Sequence, residues 1–281
     1  MATTTVCLLH PGEMGAEVGA AARAGGARVV WVSAGRGDAT RDRAAAAGLE
    51  DVGTLSAALA QAQIALAVCP PHAAVELAES VAAAGFRGIY LDANAIAPET
   101  SRRIGRIIEA KGASFVDGGI IGPPPTKPGT TRLYLSGTAS AEIAALFGGS
   151  SLGTITLDAP VGAASAIKAC YAGWTKGVAT LLLSVRALAR HESVEAALAD
   201  EWKISQPQLF AQLDRAVLQS RKAWRWIAEM EEIGATFREA GLPDGYALGA
   251  AEACRRLVAF KDTRGLTIED VVGALLAPTK S

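Results

Sequence analysis

The feature that most constrains this chain is an alternation that runs from residue 5 to about residue 158 and then stops. Short apolar or β-branched runs (TVCLLH, RVVWVS, IALAVC, GIYLDA, SFVDGG, RLYLSG and TITLDA) are separated by Ala-rich segments of helical character. Those segments start near Met14, Ala39, Leu55, Ala73, Pro98 and Ala141. Strands alternating with helices of this length read as βαβ units, and therefore as a largely parallel sheet. After Pro160 the strand pattern disappears, and residues 160 to 280 read as helices, beginning with a long one over about Val161 to Arg190 and punctuated by GLPDG at 241 to 245. A chain of 281 residues, half of them apolar, has room for two cores. The expectation is an α/β domain over residues 1–159 followed by an all-α domain over 160–281.

Charge and cysteine usage exclude several functions. A formal net charge of −1, with both signs mixed along the chain, gives no electrostatic footprint for nucleic acid or an anionic membrane. Cys7, Cys69, Cys170 and Cys254 form no CxxC pair, and His10, His72 and His191 show no metal-ligand spacing. Reduced thiols, a cytoplasmic setting and no bound metal follow as expectations. No basic segment precedes the first apolar run, which argues against a signal peptide, and the longest apolar stretch, GVATLLLSV, is too short to span a bilayer.

The opening stretch TVCLLHPGEMGAEVG carries the first chemical signal. A dinucleotide fingerprint needs one glycine for a tight turn, a second for backbone approach to the pyrophosphate and a third for helix packing. Gly12 and Gly15 fill the last two places, while His10 breaks the first and Pro11 presets the turn in another way. Because the motif follows the first strand and opens the first helix, His10, Pro11, Gly12, Glu13 and Met14 are expected to contact a dinucleotide. His10 itself is either a turn residue capping nearby backbone or a catalytic group. At the end of the second strand, where NAD-binding chains carry a carboxylate, Ser33 stands with Arg36 three residues later and Asp38 further on. A hydroxyl and a guanidinium suit a 2′-phosphate, so NADP(H) is expected over NAD(H). The bland alternative is a solvated charged loop.

On the long helix, at 100° per residue, Lys168, Tyr171 and Thr175 fall within about 60° of one direction and form a polar stripe on an otherwise apolar element. A lysine on a mostly buried helix is costly unless paired, used, or able to snorkel to the surface. Lys176 lies further around the helix, and Cys170 on the far side reads as core. His72 reads as a loop or helix-start contact, Asp92 and Asp117 as turn-forming or capping groups at strand ends, and Trp202, Trp224 and Trp226 as core or interface.

LLHPGEMG, CPP, DANAIAP, DGGIIGPPP and GAASAIK occur in an order and spacing that resembles the β-hydroxyacid dehydrogenase and 6-phosphogluconate dehydrogenase superfamily, which includes the imine reductases, over nearly the whole chain. It looks most similar to the phosphogluconate dehydrogenase-like NAD-binding branch. The resemblance implies a Rossmann domain, a helical second domain, an active site in the crevice between them and a homodimer built through the helices. It places the lysine of the GxGxxxK pattern, a catalytic acid or base, on Lys168, with Tyr171 as the neighbouring hydroxyl. It also implies that Cys69, Pro70, Pro71 and Asn94 line the cofactor, and that Asn94, Gly119, Ile121, Gly122, Tyr171, Trp174 and Thr175 line the substrate.

Departures from the family pattern bear on the substrate. Asn94 replaces a serine of the DxS turn, Ile121 stands at the position of a carboxylate-gripping serine, and Ala172 replaces an asparagine four residues after the lysine. With Trp174, these changes point to a small-molecule substrate bulkier or less anionic than a simple hydroxy acid, and away from 6-phosphogluconate. The expected activity is NADPH-dependent hydride transfer between nicotinamide and a carbonyl or alcohol. An imine reductase and a non-catalytic NADPH-binding sensor are the alternatives.

Overall fold

The computed structural model describes residues 3–278. By its internal contacts the chain divides into two compact units, Met1–Ala169 and Cys170–Ser281.

The first unit is built on one sheet of eight strands: β1 (Thr5–Leu8), β2 (Arg28–Trp31), β3 (Glu50–Asp51), β4 (Ile64–Ala67), β5 (Ile89–Asp92), β6 (Ser114–Ile121), β7 (Thr131–Ser136) and β8 (Leu152–Thr156). Their order is β3-β2-β1-β4-β5-β6-β7-β8, and every pairing is parallel except β6 with β7. The seven runs read from the sequence are all strands; β3, only two residues long and charged, carries no apolar run to announce it. The helices α1 (Glu13–Ala24), α2 (Asp38–Ala46), α3 (Leu55–Leu59), α4 (Ala74–Ala83), α5 (Pro98–Glu109) and α6 (Ser140–Leu146) fall between the strands.

Alternation along the strands produces two cores, since successive side chains point to opposite faces. Val6 and Leu8 join Val18, Ala22, Ile143 and Leu146 of α1 and α6, whereas Cys7 joins Ala58, Ala78, Val81 and Ile104 of α3, α4 and α5. With both faces covered, the central strands β1, β4 and β5 read as continuous apolar runs. The order reverses between β1 and β4, and it is outside the carboxyl ends of strands at such a switch point that open α/β sheets bind ligands.

After β8 the chain is helical. The long helix α7 (Ala163–His191) is followed by α8 (Glu195–Ser205), α9 (Leu209–Gln219), α10 (Ala223–Glu239), α11 (Gly245–Arg256) and α12 (Ile268–Leu276). The change from strands to helices comes where the sequence places it, but the first seven residues of α7 are counted with the sheet. In the second unit, Leu182, Leu183 and Ala187 of α7 form a core with Trp202, Leu213, Val217, Cys254 and Val271. Gly234 of α10 lets α11 approach closely, since a Cβ there would lie 3.1 Å from Leu248 Cδ2. Thr267 and Asp270 form a capping box at the start of α12.

Candidate active site

The β1–α1 turn lies at the switch point. Its third glycine is fixed by close packing: a Cβ on Gly15 would stand 2.2 Å from the carbonyl oxygen of His10, so α1 can rest on the end of β1 only without a side chain there. Gly12 is the N-cap of α1 and, having no side chain, makes no cap of its own. A glycine-capped helix start exposes N–H groups and the positive end of the helix dipole, the arrangement that receives phosphate oxygens. His10, in the place of the first glycine, lies across the turn, with ring atoms Cδ2 and Nε2 each 3.3 Å from where a Gly12 Cβ would be. Pro11 is buried, Met14 half-buried and Glu13 exposed.

Two guanidinium groups converge on this turn. Arg36 Nη1 lies 2.8 Å from His10 Nδ1, and Arg36 Nη2 donates to Leu9 O at 3.3 Å. Arg43 of α2, which the sequence reading passed over, donates from Nε to Pro11 O at 3.4 Å and from Nη2 to Thr40 Oγ1 at 3.1 Å. The recorded partners of both side chains are neutral acceptors. Burial, and then the charges of Arg36 and Arg43, hold His10 below the ordinary imidazole range. Ser33 is buried at the end of β2, with its carbonyl accepting from Arg41 Nη2 at 3.1 Å. A glycine turn, a glycine-capped helix start and two guanidinium groups whose hydrogen bonds among the described residues go to neutral acceptors are chemically suited to a dinucleotide phosphate.

The next two strand ends are tied together by Asn94. Asp92, at the end of β5, accepts from Asn94 N at 3.0 Å and from Asn94 Nδ2 at 2.9 Å, while Asn94 Oδ1 accepts from Cys69 N at 2.5 Å. Asn94 is only 2% exposed, so its amide holds the Cys69 turn beside β4. Cys69 and Pro71 are half-buried and Pro70 exposed in that turn. Burial, then the Asp92 charge, pushes the Cys69 thiol up to about 12, which leaves it without nucleophilic character at neutral pH.

The start of α7 is anchored to β6 by Asp117, 1% exposed and carrying five donors. Oδ1 accepts from Ser101 Oγ at 2.9 Å and Ser165 Oγ at 2.6 Å. Oδ2 accepts from Ser136 Oγ at 2.9 Å, Gly162 N at 2.9 Å and Ser165 N at 3.1 Å. The capping role read for Asp117 therefore serves α7, a helix that begins more than forty residues downstream. A carboxylate at a helix N-terminus also meets the positive end of its dipole. Two residues along β6, a Cβ on Gly119 would stand 2.3 Å from Ala164 O and 3.2 Å from Lys168 Cβ. The glycine is what lets the first turns of α7 lie on the strand, and it sets the half-buried Lys168 beside the carboxyl end of β6.

The remaining candidates take different positions. Ile121 is buried at the end of β6, and Gly122 has a φ of 131°, which a side chain would strain. Along α7, Tyr171 is 49% and Trp174 73% exposed, and Thr175 donates to the carbonyl of Tyr171 at 3.0 Å. Lys176 forms an ion pair with Glu229 of α10 and lies 5.7 Å from the centre of the Trp226 ring. Among the described residues no cluster of metal-ligating side chains is found, and no helix is long and apolar enough to cross a membrane.

The family model described as a domain of unknown function, DUF1932, matches residues 189–257. Among curated proteins none matches the chain in sequence. Solved structures match over nearly its full length. A 3-hydroxyisobutyrate dehydrogenase from Mycobacterium tuberculosis is 19% identical with a TM-score of 0.72, covering 98% of this chain and 100% of that one. A conserved hypothetical protein from Sinorhizobium meliloti is 22% identical with a TM-score of 0.72, covering 98% and 96%. A reductive aminase from Aspergillus terreus, solved with NADPH and ethyl levulinate, is 22% identical with a TM-score of 0.57, covering 97% and 99%. The chain has the Rossmann-type fold of the 3-hydroxyacid dehydrogenases, followed by a helical region, and its structural neighbours are those dehydrogenases and the imine reductases.

Proposed function

We propose that this protein is an NADPH-dependent oxidoreductase that transfers hydride between the nicotinamide and a carbonyl or alcohol carbon, with Lys168 as general acid and base. The observation that carries the proposal is the placement of Lys168 by Gly119 and Asp117 at the same sheet edge as the β1–α1 turn. The cofactor, when bound, supplies or accepts the hydride. The chain does the rest. The glycine-capped start of α1 and the Gly12 backbone take the pyrophosphate, and Arg36, with Arg43 beside it, supplies positive charge for the 2′-phosphate. Asn94 holds the Cys69–Pro71 turn in shape through its amide, a supporting part and not a direct contact.

Lys168 Nζ donates its proton to the oxygen that becomes an alcohol and recovers it in the reverse direction. Tyr171, one turn further along α7, is the next hydroxyl on that helix. The missing serine at Ile121 removes one donor for a substrate carboxylate, which favours a substrate with less negative charge. The reductive aminase among the fold neighbours makes imines the second substrate class to test.

A homodimer is part of the proposal. Tyr171, Trp174, Leu181 and Leu188, with half-buried Val178 and Val185 between them, repeat at alternating spacings of three and four along α7. Such a seam is the pattern that pairs helices, and an exposed apolar stripe of this length marks an interface. A cytoplasmic setting, in which thiols stay reduced, is also part of the proposal.

The experiment is NADPH oxidation with panels of aldehydes, ketones, keto acids and cyclic imines, for wild type and Lys168→Ala. Turnover of a carbonyl compound that falls about 10²- to 10⁴-fold in the variant, with NADPH affinity kept, is the expected result. Full turnover in the variant would remove Lys168 from the chemistry. Tight NADPH binding with no turnover on any panel would favour the sensor.

A further inference from the structure

The residue that departs from the dinucleotide fingerprint is also the one that touches Arg36. A guanidinium has only donors, so the 2.8 Å contact from Arg36 Nη1 requires a lone pair on His10 Nδ1. That fixes the ring as the Nε2–H tautomer. Arg36 Nη2 reaches Leu9 O, the carbonyl next in the chain, so the turn grips the guanidinium from two adjacent residues. Arg43 reaches Pro11 O from the other side. A glycine at position 10, as in the usual fingerprint, would leave Arg36 without its ring acceptor, and a long side chain in a glycine-containing loop would then sample many rotamers.

We infer that His10 is a positioning residue for Arg36, holding the guanidinium over the β1–α1 turn, and that it thereby determines the preference for a cofactor bearing a 2′-phosphate. The inference rests on the NADPH reading above. It assigns the histidine a task in selectivity and none in hydride or proton transfer. A pre-positioned guanidinium loses less freedom when the phosphate arrives, and that gain is absent for NADH, which has no phosphate to receive it. The two-donor grip uses part of the guanidinium and leaves its remaining N–H groups for ligand oxygens. Burial and the two arginine charges keep the ring neutral, the state in which Nδ1 can accept.

Two measurements test this on the whole protein. The first needs no cofactor: ¹⁵N resonances of the His10 ring in the free protein should report a protonated Nε2 and an unprotonated Nδ1. The Nδ1 resonance should move in Arg36→Ala. The second is the ratio of NADH to NADPH dissociation constants, by titration. Arg36→Ala should lower that ratio about tenfold, as expected for losing one charge-assisted bond, and His10→Ala should lower it about three- to fivefold, the cost of ordering a freed side chain. The double variant should fall no further than Arg36→Ala, because the two residues act as one unit. His10→Asn, whose Oδ1 branches from the same atom as Nδ1, should recover most of the ratio. His10→Gln, with its acceptor one bond further out, should not.

A His10→Ala ratio equal to wild type, losses that multiply in the double variant, or equal behaviour of the Asn and Gln variants would each overturn the inference. A wild type that binds NADH as tightly as NADPH would overturn the 2′-phosphate reading, and His10's part in selectivity with it. That outcome is distinguished by the ring resonances, which would still respond to Arg36→Ala. Melting temperatures of the five variants show whether a lost ratio reflects a lost fold.

Discussion

Two buried carboxylates stand side by side in this protein and behave as opposites. Asp92 and Asp117 are register partners on the parallel strands β5 and β6, each 1% exposed. Asp117 gathers five donors from α5, β7 and the start of α7, whereas Asp92 has two, both from Asn94. Burial pushes Asp92 up to about 7, the charge of Asp117 adds to the push, and the two Asn94 bonds only partly oppose it. Equal burial therefore does not mean equal chemistry. Asp117 is the anchor that fixes a helix; Asp92 is a group poised near neutrality beside Asn94.

The largest effect should come from Asp117→Ala. It strands five donors and releases the start of α7, and breaking such a buried cluster typically costs about 3–5 kcal/mol. Urea unfolding should show that loss, with hydrogen exchange rising first in residues 162–168. An unchanged midpoint would mean the five bonds add little and would erase the contrast with Asp92.

Asp92→Asn should act through pH. The folded protein keeps the Asp92 proton up to about 7, while the unfolded chain releases it near 3.8. The native state binds more protons across that window, so this group makes stability fall as pH rises from about 4 to about 7 and contributes a constant penalty above it. The size is on the order of a few kcal/mol. The variant should lose that slope, so the difference between wild-type and variant stability should change between pH 4 and pH 7 and level off beyond. A difference independent of pH would show that Asp92 titrates normally and would contradict the account of its burial.

Ser136→Ala removes one of the five donors to Asp117 together with the acceptor for Ala164 N, and should cost about 1–3 kcal/mol. A loss as large as that of Asp117→Ala would show that the cluster fails as a unit. The smallest effect belongs to an exposed carboxylate. Glu50 is held below the usual carboxylate range by its hydrogen bond to Arg28 on the surface, and Glu50→Gln should leave the melting temperature unchanged within error.

The centre of the sheet was legible because β1, β4 and β5 are buried on both faces and so appear as apolar runs, and β7 and β8 because β-branched and apolar residues recur along them. β3 escaped because Glu50 and Asp51 are exposed at the sheet edge, where no apolar side chain is required. At the candidate site, the structure brings Gly12, Gly15 and Arg36 to one turn, and the sequence could single them out because their spacing from β1 and β2 is local. Arg43 carries no local signal: an arginine in a polar helix reads as surface, and only the fold turns it toward Pro11. The Asp117 cluster was hidden for the same reason, since Ser101, Ser136 and Ser165 come from three separate segments. A hint was present in retrospect, namely single serines at buried positions of otherwise apolar or helical stretches. Asn94 was read as a contact for cofactor and substrate; in the folded chain it is buried, and its amide binds Asp92 and Cys69.

The central claim is that the β1–α1 turn receives the pyrophosphate of a nicotinamide dinucleotide. A crystal structure with NADPH tests it most directly. The account predicts pyrophosphate oxygens within hydrogen-bond distance of the N–H groups at the start of α1, with Arg36 on the 2′-phosphate. NADPH bound with that helix start facing solvent, or no NADPH at saturating concentration, would contradict it.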